Sequence, residues 1–171
     1  LSPDGARSTD STFGHDVVER AMRVLNPEPR LLRAVSAYLD YTVTTQTALD
    51  YLTEHDSQVR NHADLRLQLA TLNYRLEAYS ESFAIAENVS AMKSAGQSLK
   101  TAARLLAARS LAQIDRLDAA LPRFRELIAD NPDDVSIRIE MAGLAMAHGL
   151  PEEALELCRR TDSKHKSSEN I

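Results

Sequence analysis

The residues in this sequence best suited to bind a metal are His15 and Glu19, which lie four residues apart. On a helix, this spacing places both side chains on one face, where they could supply half of a metal site. No second pair of ligands lies nearby in the sequence. We therefore expect a solvent-facing pair and no bound metal.

A second acidic group surrounds the corner Asn131-Pro132-Asp133-Asp134. Together with Asp130 it lacks the alternating spacing and closing glutamate of a calcium loop, so we expect turn and helix-cap residues. Cys158 is the single cysteine, which excludes an intramolecular disulfide and most thiolate metal sites. Its place in an apolar column predicts a small core residue and not a nucleophile.

The sequence also lacks the common motifs of catalytic sites. It has no phosphate-binding loop, no dinucleotide fingerprint and no nucleophile elbow. We therefore predict a non-enzymatic protein without a cofactor.

The composition is typical of one all-helical domain. The chain has 171 residues, of which 43% are apolar and 5% aromatic, with no Trp and five Gly. A net charge of −5 makes nucleic acid an unfavourable partner. No window has the roughly 18 uncharged apolar residues that a membrane span requires. Because the sequence begins at Leu1, we expect a processed product or a piece of a longer chain.

Apolar residues recur at steps of three and four through most of the chain, as helices require. We predict a polar flexible tail at 1–14, a helical domain at 15–160 that opens with a helix at 15–25, and a second flexible tail at 161–171. Short breaks separate the helices. In one of them, Gly149 can take the left-handed conformation that closes a helix, and Pro151 suits the first turn of the next.

The chain also repeats itself. The segment 101–134 aligns without a gap on the segment from 135 onward, at a period of about 34 residues. Ala108 then falls on Ala142, and Ala120 falls on Ala154. Two weaker repeats precede this pair, so we predict four helical hairpins near 29–62, 63–100, 101–134 and 135–160. Small side chains recur because antiparallel helices approach closely only where the side chains between them are small.

These repeats resemble the tetratricopeptide repeat family, most clearly over 101–160 and more loosely over 29–100. The resemblance rests on the period, the small-residue columns, the NPDD corner and the HGLPEEALEL turn. It implies an all-α solenoid of about four antiparallel hairpins with an extra N-terminal helix. The sequence departs from the family where Glu77 and Asp115 replace the usual turn glycine and where Pro122 lies early in a second helix.

The resemblance further implies a concave face, lined by the first helix of each hairpin, that binds a peptide or a partner helix. The groove positions implied for the first two hairpins are Arg30, Arg33, Asp40, Tyr41, Asp64, Tyr74 and Arg75. Those implied for the last two hairpins are Leu105, Arg109, Gln113, Ile139 and Met146. Such a groove suits a protein partner with an acidic part and an apolar part, and a role in assembling a larger complex.

Several alternatives stay open at this point. The groove arginines would also suit an RNA-binding helical repeat, and the chain would also suit a regulatory segment of a larger enzyme. The family's chaperone-tail clamp is disfavoured because Ala102 and Leu106 stand at two of its basic positions. No amphipathic helix follows Arg160, and this uncapped end predicts self-association, contact with a partner or a longer array.

Overall fold

The computed structural model describes Arg20 and residues 27–168, with side chains described as far as Arg159. The expected N-terminal tail and the His15–Glu19 pair lie outside the described residues, as does the helix at 15–25 apart from Arg20. Within the described ranges every regular element is a helix, so the predicted all-helical class is confirmed.

The first half of the described chain forms two hairpins. Hairpin 1 pairs α1 (Pro29–Thr42) with α2 (Thr45–Glu54). A single turn, α3 (Asp56–Val59), leads into the next unit. Hairpin 2 pairs α4 (Ala63–Arg75) with α5 (Tyr79–Ala91).

The second half forms two more hairpins. Hairpin 3 pairs α6 (Gln97–Gln113) with α7 (Leu117–Asp130). Hairpin 4 pairs α8 (Val135–Ala147) with α9 (Pro151–Ser168). The expected number of hairpins is therefore present in the described chain.

Two boundaries differ from the expected ones. Helix α6 begins at Gln97 and not near residue 101, because Gly96 serves as its N-cap with an extended backbone. Helix α9 continues to Ser168, through most of the segment expected to be a flexible tail. Between residues 152 and 168 no Gly or Pro interrupts the helix, so its backbone hydrogen bonding can continue.

Three of the hairpin turns have the same backbone conformation. Glu77, Asp115 and Gly149 have φ values of 62°, 58° and 73°, which lie in the left-handed region. After each of them a backbone N–H donates to the carbonyl five residues earlier, and the pairs are Ala78 to Asn73, Arg116 to Leu111, and Leu150 to Ala145. This is the Schellman arrangement, which satisfies carbonyls left open at a helix end. The turn of hairpin 1 differs, because there the Thr44 side chain accepts from the Thr47 backbone at 3.0 Å.

Pro122 lies inside α7, beyond the first turn of that helix. It has no N–H to donate to the carbonyl of Asp118, so the helix loses one internal hydrogen bond there.

The small-residue columns are buried, as the repeat predicts. Ala108 and Ala120 are fully buried, and Ala142 and Ala154 are 6% and 3% exposed. In the weaker repeats, Ala48 and Ser82 are equally buried, and the Ser110 hydroxyl donates to Ser82 Oγ at 3.0 Å. Small side chains therefore lie between the helices of hairpins 3 and 4, and also between hairpins 2 and 3 where Ser82 meets Ser110.

Larger apolar residues fill the spaces between successive hairpins. Leu52 and Leu65 belong to one cluster that joins hairpins 1 and 2. Leu106 and the half-buried Phe83 belong to a second, between hairpins 2 and 3, and Phe124 and Met141 to a third, between hairpins 3 and 4. The core therefore runs along the stack of hairpins.

Candidate binding surface

First helices of three hairpins meet around one pocket. Tyr74 comes from α4, Arg109 and Gln113 come from α6, and Glu140 comes from α8. Ala112, Phe124 and Leu144 complete the lining, and the pocket encloses about 210 Å³. The stack thus brings together three residues, Tyr74, Arg109 and Gln113, that were expected in the groove.

The polar wall of this pocket is an ion pair between neighbouring hairpins. Arg109 Nη2 donates to Glu140 Oε2 at 2.6 Å, and Arg109 Nε donates to the other carboxylate oxygen. The hydrogen bonds to Glu140 raise the pKa of Arg109 above its ordinary value, because they favour the charged guanidinium. Both partners are half-buried, so the pair fixes the shape of the pocket wall.

The aromatic wall is Tyr74. Burial raises the pKa of Tyr74 above its ordinary value because it penalises the phenolate, and the neighbouring Tyr79 adds to the effect. The two rings meet edge to face with their centroids 5.2 Å apart. Tyr74 therefore offers a neutral, ordered ring to the pocket.

Around hairpin 1 the expected groove residues are mostly exposed. Arg30 and Arg33 are exposed on α1, and the Tyr41 ring is 91% exposed. Arg75 of α4 forms an ion pair with Asp40 of α1, so this arginine already has a carboxylate partner. Asp64 is half-buried in the first turn of α4.

Three expected groove residues lie elsewhere. Leu105 is half-buried and packs against the cluster between hairpins 3 and 4. Ile139 and Met146 line a separate groove between α8 and α9. Cys158 lines the same groove and is exposed, so its expected place in the core is wrong. Hairpin 4 covers Phe124 of hairpin 3, but no described hairpin covers α9 in the same way.

Residues 111–170 match a family model described as a tetratricopeptide repeat. Residues 111–170 therefore contain a tetratricopeptide repeat. This confirms the resemblance over that part of the chain.

Solved structures with the tetratricopeptide repeat fold extend the comparison to the whole chain. A crystal structure of MamA superposes with a TM-score of 0.73 at 12% identity, covering 100% of both chains. A second MamA crystal structure gives a TM-score of 0.71 at 13% identity, covering 95% of this chain and 91% of the other. MamA MSR-1 C2 gives 0.70 at 13% identity, with 94% and 91% covered. No curated protein sequence matches the chain. The likeness therefore concerns the stacked-hairpin fold.

Two groove arginines have acidic partners that were not expected as partners, since Asp40 was named only as a groove position and Glu140 was not named at all. Glu140 pairs with Arg109, 31 residues earlier, and Asp40 pairs with Arg75, 35 residues later. A search for opposite charges about one repeat apart would have found both pairs, because residues at that separation face each other on neighbouring hairpins.

In the described part of the chain, no group of three or more His, Cys, Asp or Glu side chains is placed to hold a metal ion. No helix among the described residues is both long enough and apolar enough to cross a bilayer.

Proposed function

We propose that this tetratricopeptide repeat protein is a non-enzymatic scaffold that holds a segment of another protein against its first helices. Proteins of this repeat family are typically non-enzymatic. The observation that carries the proposal is the pocket of Tyr74, Arg109, Gln113 and Glu140, to which three successive hairpins contribute. A partner that spans this pocket binds all three units at once.

The chemistry of the surface supports a partner with an acidic part and an apolar part. Arg30 and Arg33 present exposed cations at hairpin 1, where an acidic side chain gains favourable electrostatic interaction. The pocket offers the Tyr74 ring and the apolar Leu144 side chain, which suit an apolar anchor. Arg75 and Arg109 contribute less free charge, because Asp40 and Glu140 already pair with them.

The same ion pairs weigh against nucleic acid as the partner. Two of the four groove arginines are neutralised within the protein, and the chain carries a net charge of −5. Phosphate binding needs cations gathered on one face and not matched by carboxylates. A titration at low ionic strength should therefore detect no affinity for single-stranded RNA.

The scaffold proposal is tested by quantitative affinity purification from the native host. We expect the partner to be retained by the unaltered chain and lost from the double variant Arg33→Ala, Tyr74→Ala. Each of these changes removes a side chain that the surface offers to a ligand. Neither change alters Arg109 or Glu140, so the ion pair in the pocket wall should stay in place.

The matched control is Arg60→Ala. Arg60 is exposed on the short connection after α3 and pairs only locally with Asp56, four residues earlier. This variant should retain every partner. If the double variant has an unchanged melting temperature and still retains every partner, binding at the first helices is ruled out.

A further inference from the structure

Hairpin 4 carries an open apolar groove that no other described part of the chain covers. The groove has a volume of about 580 Å³ and lies between α8 and α9, with Ala142 and Ala154 at its floor. Ile139 and Met146 rise from α8 with exposures of 62% and 59%, and Leu155 from α9 with 48%. Large apolar side chains exposed side by side mark an interaction surface.

The repeat register explains what kind of surface this is. Ile139, Met146, Leu155 and Cys158 occupy the positions that Leu105, Ala112, Leu121 and Phe124 occupy in hairpin 3, each 34 residues earlier. In hairpin 3, Ala112, Leu121 and Phe124 are 6%, 8% and 1% exposed, and Leu121 and Phe124 belong to the cluster shared with hairpin 4. The groove therefore continues the interface that joins successive hairpins, and it fits helices as its occupants.

The charges along α9 indicate which helix fits. The first half of α9 contains Glu152, Glu153 and Glu156, of which Glu153 forms an ion pair with Arg125 of α7. The second half of its sequence contains four basic residues, Arg159, Arg160, Lys164 and Lys166, and one acidic residue, Asp162. A helix with this polarity attracts an antiparallel copy of itself, because each acidic half then lies beside a basic half.

Specific side chains agree with that arrangement. Glu152 and Arg159 are both exposed and lie seven residues apart, on the same edge of α9 and on either side of Leu155. A two-fold axis beside Leu155 places Glu152 of each copy opposite Arg159 of the other. The Leu155 side chains then meet at the axis, where they are shielded from water.

We propose that this face binds a second copy of the chain, with the two α9 helices antiparallel and each lying in the groove of the other. The contact is isologous, so the assembly closes as a two-fold dimer and leaves the first helices of hairpins 1 to 3 open to a partner. It is separate from the proposed scaffold function, since it uses neither Tyr74 nor Arg33.

Sedimentation velocity on the complete chain tests the dimer. At concentrations up to about 500 μM, a range that detects dissociation constants up to the millimolar region, we expect a shift from monomer to dimer. Leu155→Glu should raise the dissociation constant by about tenfold or more, because it places a carboxylate in the apolar contact. The control Val43→Glu changes a side chain of similar exposure, 51%, at the opposite end of the stack, and should leave the dimer unchanged.

A charge exchange tests the antiparallel pairing itself. Arg159→Glu should weaken the dimer by about tenfold, since it places two like-charged pairs across the axis. The double variant Arg159→Glu, Glu152→Arg should restore association, because both pairs regain opposite charges. If a repeat of a longer array occupied this groove instead, its binding would not be restored by this exchange of charges.

Three results would overturn the proposal. The first is a chain that stays monomeric over the whole concentration range. The second is a dimer that Leu155→Glu does not weaken although the variant melts at an unchanged temperature. The third is a charge exchange that fails to restore association, which would exclude the antiparallel register. Tyr74→Ala should leave the dimer intact, so failure of the scaffold proposal and failure of this one are distinguishable.

Discussion

Individual residues show most clearly where this chain departs from an ideal repeat. Glu77, Asp115 and Gly149 are equivalent by register and take the same left-handed backbone conformation, although only one of them is glycine. A side chain in that conformation costs about 1–2 kcal/mol, and aspartate tolerates it better than glutamate does. The chain therefore keeps the turn geometry of the family at some cost in stability.

Replacing these side chains should stabilise the protein. We expect Glu77→Gly to raise the free energy of unfolding by about 1 kcal/mol. The change relieves backbone strain in the folded state. Part of this gain is lost because glycine has more conformational freedom in the unfolded chain. Asp115→Gly should give a smaller gain, and Gly149→Ala should lower the stability. Urea denaturation measures all three.

The matched control is Glu81→Gly, which makes the same substitution at an exposed position in the first turn of α5. It should destabilise the protein, because glycine has a low helix propensity and because the helix start loses a favourable negative charge. A loss of stability in Glu77→Gly as large as that in Glu81→Gly would contradict the left-handed turn.

Among the elements, α8 depends on a specific cap. The Asp134 carboxylate accepts from the Ser136 backbone N–H at 3.0 Å, which satisfies one of the open donors at the helix start. The hydrogen bonds from Ser136 hold the pKa of Asp134 below its ordinary value. The expected cap role of Asp134 is therefore confirmed.

This cap predicts a pH dependence. Because the folded-state pKa is lowered, the contribution of the cap is fully present above the unfolded pKa, near pH 4, and is lost as the pH falls through the folded value. We expect Asp134→Ala to cost about 1 kcal/mol at pH 7 and Asp134→Asn to cost less, since asparagine also caps well. Asp133→Ala, one residue earlier, is the comparison variant.

Measurement of unfolding free energies between pH 3 and pH 7 checks the prediction. The difference between the unaltered chain and Asp134→Ala should shrink as the pH falls below about 4. A difference that stays constant over this range would show that the carboxylate charge has no part in the cap.

At the scale of the whole molecule, the stack was predictable because its cause is periodic. Ala108, Ala120, Ala142 and Ala154 recur at one interval, and each is buried where two helices cross. The candidate pocket was only partly predictable. Tyr74, Arg109 and Gln113 were implied by the family resemblance, whereas Glu140 was not, because its role depends on the side chain that faces it across a hairpin boundary.

The end of the stack was the least predictable part. Cys158 occupies the same column as Phe124, yet one is exposed and the other buried. A column position specifies which way a side chain points, but its burial depends on whether another hairpin lies against it. The same reasoning explains why Ile139 and Met146 lie on an open groove and not in the pocket with Arg109.

Such a stack should not unfold uniformly. Hairpin 3 packs against neighbours on both sides, and seven residues of α6 are buried. Hairpin 4 has a described neighbour on one side only, and Ala154 is the one buried residue among the described side chains of α9. Because a solenoid is stabilised by each hairpin and its neighbours, the last unit should open most readily.

Hydrogen exchange at a concentration that keeps the chain monomeric measures this gradient. We expect amides in the middle of α6 to exchange about tenfold or more slowly than amides in the middle of α9. Met141→Ala removes a fully buried side chain between hairpins 3 and 4. It should speed exchange in α8 and α9 far more than in α4 and α5, because a local interface fails before the stack does. Equal acceleration in all four helices would mean that the chain unfolds as one cooperative unit, and that the hairpins do not contribute separately.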